Sequence, residues 1–599
     1  MMLSPNNRSV YTDALTPPAG YVLDRAVAAT FSMDLTTLLS VPLQLVLQST
    51  EDRDELMRDP ISLYEALQRA TERVHVFVQH GRIQAPRQHH LLFSLLEPMI
   101  TEVVAPRGGA FHPKLWVLRF VSPDGKKVQF RLMLASKNLT ADQSWDVALT
   151  LDGSVGSVEN ENGIAIASFV EQLPGLATGS FDSADSYQSL VKELRQVDWE
   201  LPDGFDWLRF HALGLDNSSW KPAANRRLVV ISPFVRPKAL EMLAATSEIP
   251  VAVVSRSESL AELGGGDPFR DAYVLHDAAE TEDGEDHEGG GLEIGLHAKA
   301  FMFQVGQRTH LAVGSANATD AALIARNNVE IIAELAGPTY KVGSVLKFLD
   351  PDADNGLGQY LVPWEADDDV EIDSTAKENE KRLEDARDAL LEAKLTLNCR
   401  QDDENWVLEL EVAETVDLSG LKNVFAWPVT VGVERAVDAS ELSSQSPVRL
   451  PVQSMSSLTS LIAFKLQAGS ETLTFALNLP VTGMPEERDR AILRSVVKNR
   501  QGFLRYLLLL LAGLGDGADV GSVARALSAK SGKQAQNAFD DMPLLEELVR
   551  AFSRDRKRLV KVERLIDDIT KDGEEDDILP DGFLTFWQVF QEALSGHDR

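Results

Sequence analysis

Strand-like and helix-like hydrophobic patterns follow one another through the first 345 residues. The run VHVFVQ, which begins at Val74, has the apolar character of a buried strand. A helical pattern, DLTTLLSVPLQLVLQ, begins at Asp34, a residue type suited to the N-cap of a helix. Because strands and helices that alternate along a chain are typical of α/β domains, the pattern predicts an α/β architecture for this region.

The same order of elements occurs twice. The first copy ends in the predicted hairpin FHPKLWVLRFVSPDGKKVQFRLMLASKNLT, with a turn at Pro123-Asp124-Gly125. The second begins with the strand RLVVISPFV at Arg227 and ends in the hairpin GLHAKAFMFQVGQRTHLAVGSANAT. Such an internal repeat predicts two α/β lobes, residues 1–200 and 201–345, that together form a pseudo-dimer.

The pattern changes after the repeat. Residues 346–394 are predicted to form an acidic linker and a solvated helix, with the apolar stripe Leu383, Ala386, Leu390 and Leu391. Residues 395–482 alternate apolar and polar positions, which predicts a β-rich domain, and residues 483–599 are predicted to form a helical domain. Neither of these two domains carries a catalytic pattern, so we expect them to serve packing or partner binding.

Charge is distributed unevenly along this acidic chain, whose formal net charge is −33. Residues 351–450 contain 24 Asp and Glu against 9 Lys and Arg, whereas residues 101–150 contain 7 Lys and Arg against 4 Asp and Glu. The segment AAETEDGEDHEGGG, residues 278–291, is predicted to be a mobile acidic insertion. The total charge argues against bulk attraction to nucleic acid or an anionic membrane, so any phosphate-facing surface should be local and lie in the first half.

Targeting and cysteine signals are weak. The first residues lack the basic and apolar segments of a signal peptide, and the apolar run from Tyr506 to Leu514 is shorter than the roughly 20 residues that span a bilayer. The single cysteine, Cys399, excludes an internal disulfide and a multi-cysteine zinc site. We therefore predict a cytoplasmic protein that does not bind membranes and uses neither a metal nor another cofactor.

Each hairpin carries the same polar set. The first contains His112, Lys114, Ser136 and Asn138, and the second contains His297, Lys299, Ser315 and Asn317. The His-to-Ser and Lys-to-Asn separations are equal within each hairpin, 24 residues in the first and 18 in the second. Residues i and i+2 of a strand point to the same face, so the histidine and lysine of each pair should lie together.

This set suits phosphodiester chemistry without a metal. Lysine and asparagine can bind the non-bridging oxygens and stabilise the charge that develops on phosphorus. One histidine can attack phosphorus, and a second can protonate the leaving oxygen and then activate water. Asp146 and Glu330, downstream of the two motifs, are candidates to orient the histidines by accepting a hydrogen bond from the ring.

On these residues the chain resembles the phospholipase D superfamily, whose HxK and Asn signature occurs twice across a pseudo-dimer. The resemblance covers about residues 20–345 and implies a phosphohistidine intermediate and activity without a divalent metal. It carries the catalytic roles to His112, Lys114, Asn138, His297, Lys299 and Asn317, while Ser136 and Ser315 would contact phosphate or the opposing loop. The two halves are chemically alike, so the residues leave the nucleophile open, and family precedent favours His112.

The sequence departs from the family pattern in three places. Arg119 and Gln304 stand where the family often has Asp five residues after the lysine. The first copy has Ala135 where the second has the usual Gly314, and Lys137 adds a charge between the serine and the asparagine of the first motif.

Among the activities of this superfamily, the sequence favours a nuclease that cleaves DNA in preference to RNA. Similar large bacterial proteins are nuclease components of restriction or phage-defence systems, which suggests a protein partner such as a helicase or motor ATPase. Two alternatives remain open: a phospholipase or phosphatidyl transferase, and a phosphate-binding scaffold without turnover.

Overall fold

The structure is a computed structural model of the chain. It describes residues 14–46, 59–141, 144–181, 185–276, 295–353, 356–366, 374–403, 405–451, 454–512, 544, 548–549, 551–552, 556–571 and 578–595. The predicted acidic insertion, residues 278–291, lies outside the described residues, as does the part of the predicted linker at 367–373.

Seven of the first nine strands form one mixed sheet, in the order β5-β3-β1-β6-β7-β8-β9. In this sheet β1, β3 and β5 are parallel, and the remaining neighbours pair in antiparallel fashion. The nine strands are β1 (Val22–Thr30), β2 (Met33–Asp34), β3 (Val74–Gln79), β4 (Ile83–Gln84), β5 (Ile100–Val103), β6 (Leu115–Val121), β7 (Val128–Ala135), β8 (Ala148–Val155) and β9 (Val197–Trp199).

Helices connect the parallel strands of this first lobe, as such crossovers require. Between β1 and β3 lie α1 (Leu35–Val46) and α2 (Pro60–Ala70), whereas α3 (Glu161–Gln172) and α4 (Asp185–Leu194) lie between the antiparallel strands β8 and β9. The carboxylate of Asp34 accepts hydrogen bonds from the backbone N–H groups of Thr36 at 3.2 Å and Thr37 at 3.1 Å, which confirms the predicted N-cap. The segment Leu91–Met99, between β4 and β5, is a 3₁₀ helix.

The second lobe repeats this strand order in an eight-stranded sheet, β10-β16-β15-β14-β11-β12-β13-β17. Its strands are β10 (Trp207–Leu213), β11 (Asn225–Ile231), β12 (Ser247–Val254), β13 (Asp271–Leu275), β14 (Ala300–Val305), β15 (Arg308–Gly314), β16 (Glu330–Pro338) and β17 (Leu361–Pro363). The series β13-β12-β11-β14-β15-β16 matches β5-β3-β1-β6-β7-β8, so the repeat found in the sequence is present in the strand order. Because β17 pairs with β13, this sheet continues beyond residue 345, where the sequence placed the end of the lobe.

One hydrophobic core joins the two lobes. It contains Val117 and Leu132 of the first sheet together with Val229 and Val313 of the second, all buried. The outer face of the second sheet has its own core, which includes residues of α5 (Pro237–Ala244) and α6 (Ser257–Leu263). The lobe is completed by the short helices α7 (Thr339–Val342) and α8 (Val345–Leu349).

The β-rich region forms two further sheets. The charged helix α9 (Ser374–Glu392) precedes it, and the predicted stripe residues Leu383, Ala386 and Leu390 are buried against it. Its strands are β18 (Leu395–Asp402), β19 (Asn405–Val412), β20 (Asn423–Pro428), β21 (Val437–Asp438), β22 (Val448–Leu450), β23 (Leu461–Ala468), β24 (Glu471–Asn478) and β25 (Val481–Thr482). The sheets are β22-β19-β18-β25 and β2-β4-β24-β23-β20-β21, so β2 and β4 of the first lobe complete the second of them.

The C-terminal helices pack on the first lobe. They are α10 (Arg488–Val497), α11 (Arg500–Ala512), α12 (Arg556–Thr570) and α13 (Phe583–Ser595). Leu507 of α11 and Trp587 of α13 share a core with Ala26, Ala28 and Trp116 of the first sheet. Within the described residues, no helix combines the length and apolar character that crossing a bilayer would need.

Candidate active site

Each histidine motif is paired with the other lobe through one isolated β-bridge. Phe111 pairs with Val329 and Leu296 pairs with Trp145, both in parallel register. The backbone N–H of His112 donates to the carbonyl of Val329 at 2.9 Å, and that of His297 donates to Trp145 at 2.8 Å. Each histidine therefore lies beside the residue that precedes the predicted acid of the opposite lobe, and the two halves are related by a pseudo-twofold axis.

The two lysines are almost completely buried, with Lys114 3% exposed and Lys299 1% exposed. Nζ of Lys114 donates to the carbonyl of His112 at 2.9 Å, while Nζ of Lys299 donates to the carbonyl of His297 at 2.6 Å and lies 3.5 Å from the carbonyl of Ser136 in the opposite motif. Burial, followed by the charge of Lys299, lowers the pKa of Lys114 well below its ordinary value. A site with this charge arrangement favours an anion between the lobes.

The His112 ring is held by a buried carboxylate. Its Nδ1 lies 3.0 Å from Oε2 of Glu330, a residue with 0% exposure that also accepts from Ser315 and Asn328. Because a carboxylate only accepts, Nδ1 carries the hydrogen and the lone pair lies on Nε2. Burial lowers the pKa of His112 although Glu330 opposes it, so the ring is neutral at neutral pH.

The His297 ring has positively charged neighbours. Burial lowers its pKa to about 2, with further contributions from Lys299, Lys114, His112 and Arg256. Nζ of Lys299 lies 3.4 Å from Nδ1 of His297, and since an ammonium only donates, the hydrogen of the neutral ring lies on Nε2. His112 and His297 therefore have opposite tautomers.

Asp146 follows Trp145 directly and is half-buried. Trp145 also accepts a hydrogen bond from the N–H of Ala298 at 3.1 Å, so its segment runs beside the His297 motif. That Asp146 orients His297 stays a prediction, whereas Glu330 makes the contact expected of an orienting acid.

The two serines are buried and hydrogen-bonded within their own lobes. Ser136 and Ser315 are both 0% exposed. Ser136 Oγ accepts from the N–H of Val147 at 2.8 Å, and Ser315 Oγ accepts from Ile331 at 3.0 Å and donates to Glu330 at 2.5 Å. These hydroxyls attach the acid-bearing strands to the motif strands, and their contact with phosphate or the opposing loop stays a prediction.

The two asparagines lie in equivalent loops and are half-buried. The residue after each is anchored at the end of an equivalent strand, β1 or β11: Leu139 N–H donates to Thr30 at 3.2 Å, and Ala318 N–H donates to Ser232 at 2.9 Å. Oδ1 of Asn138 has no hydrogen-bond partner in the described part of the chain. Oδ1 of Asn317 accepts from Oγ of Ser232 at 3.4 Å, and donation from the two amide nitrogens to a ligand stays a prediction.

Sequence reasoning missed two residues of the site. The Phe31 ring centroid lies 5.2 Å from that of His112, and Arg256 Nε donates to the carbonyl of Leu296 at 2.9 Å. Both follow inner strands of their sheets, Phe31 after β1 and Arg256 after β12. The signal available in the sequence was this position, because ligands of α/β proteins bind beyond the carboxyl ends of the parallel strands.

Together these groups can catalyse substitution at a tetrahedral anion. One neutral imidazole presents a lone pair on Nε2, the other an N–H on Nε2, and the Nζ groups of two lysines and the amides of two asparagines lie in the same motifs. This is the donor set required to bind a phosphodiester, attack it and protonate its leaving group.

No protein-family model matches the chain, and no curated protein matches it. Among solved structures, a mutant of yeast tyrosyl-DNA phosphodiesterase 1 is similar at a TM-score of 0.34 and 11% identity, covering 55% of this chain and 85% of that one. Phosphatidylserine synthase of Haemophilus influenzae Rd KW20 is similar at a TM-score of 0.29 and 13% identity, covering 57% and 82%. Polyphosphate kinase of Porphyromonas gingivalis is similar at a TM-score of 0.26 and 12% identity, covering 54% of this chain and 44% of that one. Scores this low leave the chemistry to be argued from the site itself.

Proposed function

We propose that this chain is a metal-independent phosphodiesterase of the phospholipase D superfamily that cleaves nucleic acid through a phosphohistidine. The observation that carries the proposal is the meeting of two His-Lys pairs at the lobe interface, with Nδ1 of His112 on Glu330 and Lys299 on His297. The opposite tautomers support a division of labour in which His112 is the nucleophile and His297 is the acid.

In the first step, Nε2 of His112 attacks phosphorus and the bond from phosphorus to the leaving oxygen breaks. The negative charge of the bound diester raises the pKa of His297, which takes up a proton and delivers one from Nε2 to the leaving alcohol. Glu330 stabilises the positive charge that His112 acquires as the phosphorus–nitrogen bond forms.

In the second step, neutral His297 accepts a proton from water as the water oxygen attacks phosphorus. The phosphorus–nitrogen bond breaks, a phosphate monoester is released, and His112 recovers its lone pair. Lys114 and Lys299 supply the positive charge toward the non-bridging oxygens in both steps, and Asn138 and Asn317 supply amide donors.

The side chains that border the site support nucleic acid over lipid as the substrate. Aromatic and guanidinium side chains border the site, and such groups bind bases and phosphates. We further propose that DNA is preferred over RNA, that the protein acts in the cytoplasm in a bacterial defence or restriction system, and that the β-rich and C-terminal regions dock a partner such as a motor ATPase.

The test is cleavage of four substrates by the full chain in excess EDTA: single-stranded DNA, duplex DNA, RNA and phosphatidylcholine vesicles. We expect DNA cleavage to persist in EDTA, and proteolysis at alkaline pH after rapid quenching, where the phosphorus–nitrogen bond survives, to recover labelled phosphate on a peptide containing His112. Cleavage of vesicles alone would establish the phospholipase alternative. Binding without turnover of any substrate would establish the scaffold alternative and overturn the proposal.

A further inference from the structure

Each half of the site carries an aromatic ring with a guanidinium over it. Arg82 lies 5.1 Å from the ring centroid of Phe31, and Arg256 lies 5.2 Å from that of Phe234. Phe31 follows β1 and Phe234 follows β11, which are equivalent strands of the two lobes. The repeat has thus placed a cation–π pair at the edge of each half.

On the His112 side, other side chains of the protein contact both members of the cation–π pair. The Phe31 ring packs beside the ring of His112, and Nζ of Lys114 lies 5.7 Å from the same ring. Nη2 of Arg82 lies 3.2 Å from Oε2 of Glu384 on α9, which neutralises the guanidinium. This side therefore offers neither a free aromatic face nor an unpaired charge.

The pair on the His297 side is open. Phe234 is 44% exposed, an unusual degree for a phenylalanine next to a buried site. Arg256 is anchored through Nε to Leu296 at 2.9 Å, and its Nη2 is buried without a hydrogen-bond partner among the described residues. Because Leu296 directly precedes His297, the guanidinium lies beside the His297 motif.

We propose that Phe234 and Arg256 form a subsite for one unpaired nucleobase, on the leaving-group side of the scissile phosphate. The proposal rests on the proposed function and on His297 as the acid. A flat neutral base can stack on the ring of Phe234 while Nη2 of Arg256 donates to the adjoining phosphate or base. The subsite makes the enzyme specific for single strands, because a paired base within a duplex is already stacked.

The same contacts disfavour a lipid headgroup. A choline or ethanolamine cation that approached the Phe234 ring would meet the positive charge of Arg256, which already occupies the position of a cation over the ring. A neutral base meets no such repulsion. The pair therefore selects planar, uncharged groups.

The test uses a thymidine oligonucleotide with one phosphodiester among uncharged methylphosphonate linkages, so that a single linkage can be cleaved. Two further versions lack the base on one side of that linkage or on the other. For Phe234→Ala we expect kcat/KM on the complete oligonucleotide to fall about tenfold or more, and Phe234→Trp to restore it. The kcat/KM of the wild type should fall by the same factor on the substrate that lacks the base on the leaving-group side. On that substrate, Phe234→Ala should cause no further fall in kcat/KM.

The matched control is Tyr340→Ala, which removes an 83% exposed aromatic elsewhere in the second lobe and should change nothing. Equal losses for Phe234→Ala on complete and base-free substrates would overturn the subsite, as would wild-type rates from Phe234→Ala on the complete strand. A dependence on the base of the opposite side would also overturn it. If wild type cleaves none of the oligonucleotides, it is the proposed function that fails.

Discussion

The His112 half of the site and the His297 half start from the same motif but have neighbours of opposite charge. Glu330 holds Nδ1 of His112, whereas Nζ of Lys299 faces Nδ1 of His297. Burial, together with neighbouring cations, lowers the pKa of His297 to about 2. The difference teaches that a duplicated motif can hold its two histidines in different surroundings without any change in the motif itself. The second lobe supplies Glu330 to His112, and on the proposed mechanism this contact makes His112 the nucleophile.

The largest expected effect comes from removing the nucleophile. His112→Ala should lose at least about 10⁴-fold in kcat with every diester, because the covalent step is gone. His297→Ala should lose about 10² to 10⁴-fold with alkyl leaving groups, yet retain phosphorylation by a p-nitrophenyl diester, whose leaving group needs no proton. The measurement is a burst of p-nitrophenol equal to the enzyme concentration.

His89→Ala, a change of an exposed histidine in the first lobe, serves as the control and should leave the burst unaltered. A burst from His112→Ala together with none from His297→Ala would reverse the two roles.

A smaller effect is expected when the orienting acids are changed. Glu330→Gln should lower kcat about 10- to 100-fold, because the ring of His112 loses its carboxylate partner. Glu330 raises the pKa of His112, so its removal lowers that pKa, and the acid limb of the burst rate should move to lower pH. The pH profile of phosphorylation measures both changes.

Asp146→Asn is the matched change in the other half. We expect a milder loss from it, since Asp146 is half-buried and Glu330 is wholly buried, and no displacement of the acid limb. If Glu330→Gln and Asp146→Asn lowered kcat equally, and neither changed the pH profile of phosphorylation, Glu330 would act only on the fold.

The smallest effect is on ligand binding. Sulfate remains a dianion over the range in which imidazole titrates, and its charge should raise the depressed pKa of His297. Binding then takes up a proton, so affinity should rise as pH falls, by up to about tenfold for each pH unit. Calorimetry in buffers of different ionisation enthalpy measures this uptake directly.

His297→Asn should remove most of the proton uptake, whereas His112→Asn should remove less because Glu330 already offsets the depression at His112. Sulfate affinity that is independent of pH in the wild type would show that His297 does not face the anion.

The local parts of the fold could be predicted from the sequence. VHVFVQ is a strand with the expected bounds, Val74–Gln79, SESLAEL is the helix Ser257–Leu263, and Asp34 caps α1. These elements depend on contacts within a few residues, such as the alternation of apolar positions and a side chain that satisfies a nearby N–H.

Longer elements were less predictable. Within the predicted helical domain, the apolar pattern that follows residue 485 forms two helices, α10 and α11, divided at Lys498, whose φ is 59°. Asn499 then accepts from the N–H of Gly502 through its side chain at 3.0 Å. Hydrophobic periodicity continues across such a break, so the pattern alone does not reveal it.

The sequence also does not predict which strands belong to the same sheet. β2 and β4 pair in the same sheet as β24, about 390 residues further along the chain, and Glu102 of β5 accepts from the N–H of Asn478 at 2.9 Å. A two-residue strand has no periodicity to detect, and its partner is decided by which edge is available after the lobes have packed.

The sequence by itself determined the repeated order of elements along the chain and the candidate set His112, Lys114, Asn138, His297, Lys299 and Asn317, because motif spacing and side-chain alternation are properties of neighbouring residues. Only the tertiary structure decided that Glu330 serves His112 across the lobe interface, that Ser136 and Ser315 are buried behind the site, and that Phe234 stays open while Phe31 is covered. These depend on contacts between residues up to hundreds of positions apart. Two motifs of the same composition acquire different charge, exposure and tautomer only when the lobes close on each other.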